Sequence, residues 1–137
     1  MPRPFALLII DMQNCFLDEI GEPEIADSAI AVINHSAGFL RSAGMPVFHV
    51  KDVEEAEYRS AEELDFVPGI ERLSSEAVVE KRMPNAFWDT DLEQRLRELD
   101  VEFVVLAGQA VEHCVLFTYN GARERGFVPV MLQDGVM

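Results

Sequence analysis

The chain has 137 residues, and its 25 Asp and Glu against 11 Lys and Arg give a formal charge of −14 with histidine neutral. At 49% hydrophobic and 26% charged residues it is composed like an ordinary globular protein, which excludes intrinsic disorder and collagen-like structure and fits a single domain over residues 1–137. The acidic balance, with no basic run, argues against nucleic acid as a partner, because phosphate backbones are bound through clusters of Lys and Arg.

Phe5 to Ile10 is a continuous apolar run between Pro4 and Asp11, the pattern of a strand buried on both faces. It is far shorter than the ~20 residues of a membrane-spanning helix, and Asp11 interrupts it too early for a secretory signal. No membrane partner is expected and the default compartment is cytoplasmic. Residues 15–26 are expected to form a loop. From Asp27 or Ser28, apolar residues recur at Ile30, Ile33, Ala37 and Leu40 until Gly44 and Pro46, which predicts a helix. Val47 to Val50 follows as a second strand, and the order strand, helix, strand implies a right-handed parallel crossover.

Between Lys51 and Ser75 the sequence is dominated by Glu and Asp, with Pro68-Gly69 as a turn signal, and reads as an exposed, solvated connection. Ala77 to Val79 is a third strand running into Lys81. Thr90 with Glu93 three residues on has the form of a capping box, opening a helix with a Leu92, Leu96 and Leu99 stripe. Phe103 to Ala107 is the fourth strand, ended by Gly108. A helix is predicted from about Val111 to Arg125, closed by Gly126, and Val128 to Leu132 is the fifth strand. Five strands alternating with helices make an α/β protein with a mostly parallel sheet.

In such a sheet ligands bind beyond the carboxyl ends of the strands, and those ends carry Asp11, Lys81 and Cys114: a carboxylate, an ammonium and a thiol. Cys114 is expected in the first turn of a helix, where unpaired amides and the positive dipole end would stabilise a thiolate nucleophile. Asp11 could take the thiol proton and return it to a leaving group, with Lys81 holding both anions. Backbone amides at Ala110 and Cys114 could form an oxyanion hole. The plain alternative is that Cys114, beside Val115 and Leu116, packs as a small hydrophobe and Asp11 is a turn residue.

The motifs Leu8-Ile9-Ile10-Asp11-Met12-Gln13-Asn14 with Phe16-Leu17, Lys81 with Asn85-Ala86-Phe87 and Thr90-Asp91-Leu92, and Gly108 with Cys114-Val115 and Thr118 resemble, over nearly the whole chain, the isochorismatase-like cysteine hydrolases. That family includes nicotinamidases and N-carbamoylsarcosine amidohydrolase. The resemblance implies a three-layer α/β/α, Rossmann-like fold in which Asp11 is the general base, Lys81 the supporting cation and Cys114 the nucleophile. It implies cleavage of the C–N bond of a small amide through a thioester, and a non-proline cis peptide at Gln109-Ala110. It also implies a homodimer or homotetramer.

Four positions depart from the family pattern. Cys15 stands where Asp is common, and a second thiol there is expected to pack, with oxidation against Cys114 as the alternative. Ala110 replaces a frequent Thr, keeping the backbone amide but losing a hydroxyl. Lys51-Asp52-Val53-Glu54 has no His where nicotinamidases carry an Asp-x-His metal motif, so neither metal nor cofactor is expected; His49 and Asp52 alone are two candidate ligands without a third. The family continues past a strand like Val128 to Leu132 with a further strand and helix, whereas this chain stops at Met137, so the fifth strand is expected at a sheet edge. Phe16, Phe87, Trp88 and His113 are candidates for a substrate pocket, with core packing as the competing role for the aromatics. Adjacent helical positions point ~100° apart, which favours His113 as a pocket or interface residue over a base. The absence of a G-x-G-x-x-G after a strand and of a P-loop argues against nucleotide binding. Besides the covalent amide hydrolase, two functions stay open: a non-covalent enol-ether hydrolase using Asp11 and Lys81, and a catalytically idle binding or assembly module.

Overall fold

A computed structural model describes residues 4–137. In chain order the elements are β1 (Phe5–Ile10), α1 (Asn14–Ile20), α2 (Pro23–Ser42), β2 (Val47–Asp52), α3 (Ala61–Leu64), β3 (Ala77–Lys81), α4 (Leu92–Glu98), β4 (Phe103–Gly108), a π-helical turn (Val111–Val115), α5 (Leu116–Glu124) and β5 (Val128–Val136). All strand pairs are parallel and the sheet order is β3-β2-β1-β4-β5. The chain first builds outward on one side of β1, then crosses to the other. The reversal falls between β1 and β4, where loops diverge and leave a crevice.

Successive side chains of a strand point to opposite faces, and β1 supplies both halves of the core. Ala6, Leu8 and Ile10 pack with Phe48, Val50, Val79, Leu92, Leu96, Val115 and Ala122 on the α4 and α5 side. Leu7 and Ile9 pack with Val47, Ile33, Ala37, Val67 and Ile70 on the α2 side. The three-layer α/β/α arrangement expected from the sequence is observed. No helix among the described residues is long and apolar enough to cross a membrane.

Local departures from the sequence expectation have physical causes. α2 begins at Pro23 rather than Asp27 or Ser28, because proline is suited to the first helical turn where its missing N–H costs nothing. The segment between residues 15 and 26 holds α1, closed by Gly21 at φ 67°. The acidic connection is not wholly solvated: Leu64, Val67 and Ile70 are buried, and the Met12 carbonyl takes the Val67 amide at 2.9 Å. The capping box forms here, not at Thr90: Ser60 Oγ accepts the Glu63 amide at 3.1 Å while Glu63 Oε2 accepts the Ser60 amide at 2.7 Å. The Thr90 hydroxyl instead donates to the Ala86 carbonyl at 2.6 Å, and α4 starts at Leu92 without a side-chain cap. The helix expected over Val111 to Arg125 opens as the π turn and closes at Glu124. β5 runs on past Leu132 to Val136 through a register shift against β4, and it forms one edge of the sheet.

Candidate active site

The carboxyl ends of four adjacent strands meet at one place. Asp52 and Lys81 are the last residues of β2 and β3 and are register partners, so both side chains project to the same face. Asp11 follows β1 directly, its amide donating to the Val50 carbonyl at 3.0 Å. Its φ of 53° lies in the left-handed region, which Asp adopts more readily than most residues. This bend turns the carboxylate from the strand line toward the sheet's end.

β4 reaches the same point through Gly108, at φ 109°. A Cβ there would lie 2.0 Å from the Ile10 carbonyl oxygen, so only glycine allows the approach. The Ile10 carbonyl then accepts the Gln109 amide at 3.0 Å, and Gln109 Nε2 donates to the Asp11 carbonyl at 3.0 Å. The Gln109-Ala110 peptide is cis. Beyond it the Ala110 carbonyl accepts the His113 and Val115 amides, each at 3.0 Å, and the chain coils into the turn that carries Cys114.

Lys81 Nζ sits at the centre, 3.1 Å from Asp11 Oδ2, 2.9 Å from Asp52 Oδ2 and 3.6 Å from Cys114 Sγ. Its side chain is fully buried. Burial opposes its charge, but Asp11, Cys114 and Asp52 together outweigh that and hold its pKa above the usual lysine value. Burial pushes the Asp11 carboxyl up to about 6, against Lys81 and the neighbouring Cys114 thiol, which pull it down. Burial, with Asp11 adding to it, pushes the Cys114 thiol up to about 12 while Lys81 opposes. Both shifts run against the helix-stabilised thiolate expected from the sequence and favour the proton on Cys114 Sγ, with the Asp11 carboxylate beside it.

Asp11, Asp52 and Cys114 offer one ligand atom each within 4.8 Å of one another, the donor set of a metal site. The Lys81 ammonium lies within hydrogen-bonding reach of all three and already occupies the space between them, offsetting part of the carboxylate charge. The donor set therefore suits an internal ammonium better than an added ion.

Asp52 is the member that sequence reasoning missed, considered there only as a weak metal ligand. Its position is fixed by Gln13, which is fully buried. Gln13 Nε2 donates to the Asp52 and Leu64 carbonyls at 2.9 and 2.8 Å, and its Oε1 accepts the Asp52 amide at 2.8 Å. The available signal was the ending of β2 on a carboxylate.

A cavity of about 240 Å³ opens onto the cluster, lined by Asp11, Asp52, Cys114, Gln109 and Ala110 together with Phe16 and His113. His113 Nδ1 lies 3.7 Å from Cys114 Sγ. The other two pocket candidates lie elsewhere. Phe87 is 4% exposed and stacks on Phe127 in the core at 5.9 Å. Trp88 is 58% exposed and lines a separate hollow with Arg82, Met83 and Asp89. The reason is the buried Thr118 of α5, whose Oγ1 accepts the Ala86 amide at 3.0 Å. Asn85 packs on Gly121, where a Cβ would meet its Oδ1 at 2.4 Å. These contacts pin residues 84–87 to α5 and aim Phe87 inward. Cys15 is buried in α1, as packing requires.

Residues 5–137 match the Isochorismatase domain family. An uncharacterised isochorismatase family protein, YddQ of Bacillus subtilis strain 168, is 32% identical over 139 aligned residues, covering 94% of this chain and 75% of that protein. Among solved structures, an isochorismatase from Pseudomonas putida KT2440 superposes with a TM-score of 0.84 at 29% identity, over 99% of this chain and 73% of that one. N-carbamoylsarcosine amidase from Thermoplasma acidophilum has the same fold, with a TM-score of 0.86 at 24% identity, over 97% of this chain and 83% of that one.

Proposed function

The chain belongs to the isochorismatase family of hydrolases, and from that premise we propose that it hydrolyses the C–N bond of a small amide through Cys114. The observation that carries this reading is the position of Lys81 Nζ, which bonds Asp11 at 3.1 Å and stands 3.6 Å from Cys114 Sγ. A proton acceptor and a nucleophile are thereby held on one ammonium.

In the proposed reaction Sγ attacks the amide carbonyl carbon while Asp11 takes the thiol proton. The carbonyl oxygen becomes an oxyanion facing the Ala110 and Cys114 backbone amides. Collapse breaks the C–N bond as Asp11 gives its proton to the departing nitrogen, leaving a thioester on Cys114. Water then attacks the thioester, its proton passing to Asp11; the carboxylic acid departs and Sγ regains a proton. With a thiol pKa of about 12, proton transfer concerted with attack suits this site better than a preformed thiolate. Asp52 acts as a positioning residue, its Oδ2 holding Lys81 Nζ at 2.9 Å beside Asp11. The cavity of about 240 Å³ is below the usual range of ~300–1,000 Å³ for drug-sized ligands, which suits a small substrate.

The test is a panel of small amides assayed for ammonia release with the native chain and with Cys114→Ala. Turnover that vanishes in the variant, with an acyl adduct on Cys114 seen by intact mass during turnover, is the expected result. Turnover that survives without the thiol refutes the covalent route and favours non-covalent chemistry by Asp11 and Lys81.

A further inference from the structure

Resting on the amide-hydrolase reading, we propose that the cleft selects neutral and cationic amides and rejects carboxylate-bearing ones, with Glu54 as the specificity-determining residue at its rim. Four carboxylates line the cleft, from Asp11, Asp52, Glu54 and Glu55, and among the described residues no Lys or Arg lines it. The ammonium beneath them, Lys81, is already engaged by Asp11 and Asp52. Asp52 is doubly tied, with Oδ2 on Lys81 and Oδ1 accepting the Glu54 amide at 2.9 Å. Glu55 is paired with Arg59, which also reaches Glu19. Among the described residues no ion pair or side-chain hydrogen bond engages the Glu54 carboxylate, although the bond from its amide to Asp52 fixes its backbone at the cleft. It is the uncompensated charge at the entrance.

A second observation concerns the interior. Asp11 lines the cleft, yet its Oδ1 is buried without a hydrogen-bond partner among the described residues. A buried carboxylate oxygen left open is an acceptor for a donor that the occupant brings, such as the N–H of an amide. Acceptor within and anion at the rim favour the same occupant, one rich in N–H groups and without negative charge. A carboxylate-bearing amide would set an anion among these oxygens in a cavity where charges are poorly screened.

Charge-matched methanethiosulfonates read this without requiring turnover. In each, Sγ attacks the sulfenyl sulfur, a mixed disulfide forms and methanesulfinate leaves. Rates for the 2-aminoethyl cation, the neutral methyl reagent and the 2-sulfonatoethyl anion are followed by intact mass on a Cys15→Ala background and normalised to 2-mercaptoethanol. The normalised cation-to-anion ratio at Cys114 should be at least about tenfold at low ionic strength, as focusing of charge in a cleft produces, and should shrink in 0.5 M salt. Glu54→Gln should cut it severalfold and Glu54→Lys should invert it. A ratio equal to that of the free thiol, or one that Glu54→Lys leaves unchanged, overturns the proposal. In parallel, kcat/KM is compared for three small amides: cationic glycinamide, neutral malonamide and malonamate, the carboxylate isostere of malonamide. Preference for malonamate overturns the charge selection while leaving the amide-hydrolase reading standing. A charge-dependent modification rate with no amide hydrolysed retains the selection and sinks that reading.

Discussion

Replacing Asp11 by Asn should stabilise the protein at alkaline pH while destroying its activity. The Asp11 carboxyl is raised by burial from its ordinary 3.8 to about 6, so the folded state binds a proton more tightly than the unfolded one. Stability therefore falls as pH rises from about 4 to about 6, and the unfavourable contribution is fully present above the folded value. At 1.36 kcal/mol per unit the shift corresponds to about 3 kcal/mol at pH 8. That is the cost of keeping Asp11 ionised in the core even with Lys81 beside it, and an asparagine, which mimics the protonated form in shape, removes it. Urea unfolding of both proteins at several pH values, with equal m values as the two-state check, should give a difference near zero at pH 4 that grows to about 3 kcal/mol in favour of the Asp11→Asn variant at pH 8. The common titration of the other carboxylates cancels in that difference. A variant destabilised by the same amount at every pH, or a gap that closes as pH rises, would show that the Lys81 attraction outweighs burial and would refute the reasoning. Gain of stability with loss of function is the expected signature of a residue kept for chemistry.

Gly108→Ala should be far more damaging than its size suggests, because the new Cβ meets the Ile10 carbonyl oxygen and φ is positive; a loss above ~4 kcal/mol or failure to fold is expected, and a melting temperature within a few degrees of the native one contradicts the close approach. Thr118→Val keeps shape but leaves the buried Ala86 amide without its acceptor, which should cost about 1–3 kcal/mol in denaturant titration. If the variant is neutral, residues 84–87 are held by something else. Gln13→Leu strips three hydrogen bonds from the segment that positions Asp52. It should lower kcat more than it changes KM, and an unaltered kcat would mean that Asp52 does not orient Lys81.

The end of the sheet that carries the candidate residues was legible in the sequence for a physical reason, while the roles of Asp11, Lys81 and Cys114 came from the family resemblance. Continuous apolar runs such as Phe5 to Ile10 mark strands buried on both faces, and parallel strands bring their carboxyl ends to one side. Topology thus brings Asp11, Lys81 and Cys114 to one end of the sheet, while the Gly108 approach and the turn at Val111–Val115 bring the thiol into the cluster. Glycine and proline punctuation likewise marked the end of α2 and the end of β4.

What the tertiary structure decided depends on relations between distant segments. Asp52 joins the cluster because the β2–β3 register sets it beside Lys81 and because Gln13 fixes its backbone, and neither fact is visible along the chain. Phe87 lies in the core and Trp88 outside the cleft because Thr118 and Gly121, some thirty positions away, anchor the loop that carries them. The Thr90 hydroxyl donates to the Ala86 carbonyl four residues back, in the loop that α5 anchors, whereas the same pattern at Ser60 forms its capping box. The protonation of Cys114 depends on burial and on the carboxylate beside it, and burial is a property of the assembled layers. Sequence supplied the groups and the end of the sheet on which they stand; three-dimensional packing set their charges, their partners and the shape of the space between them.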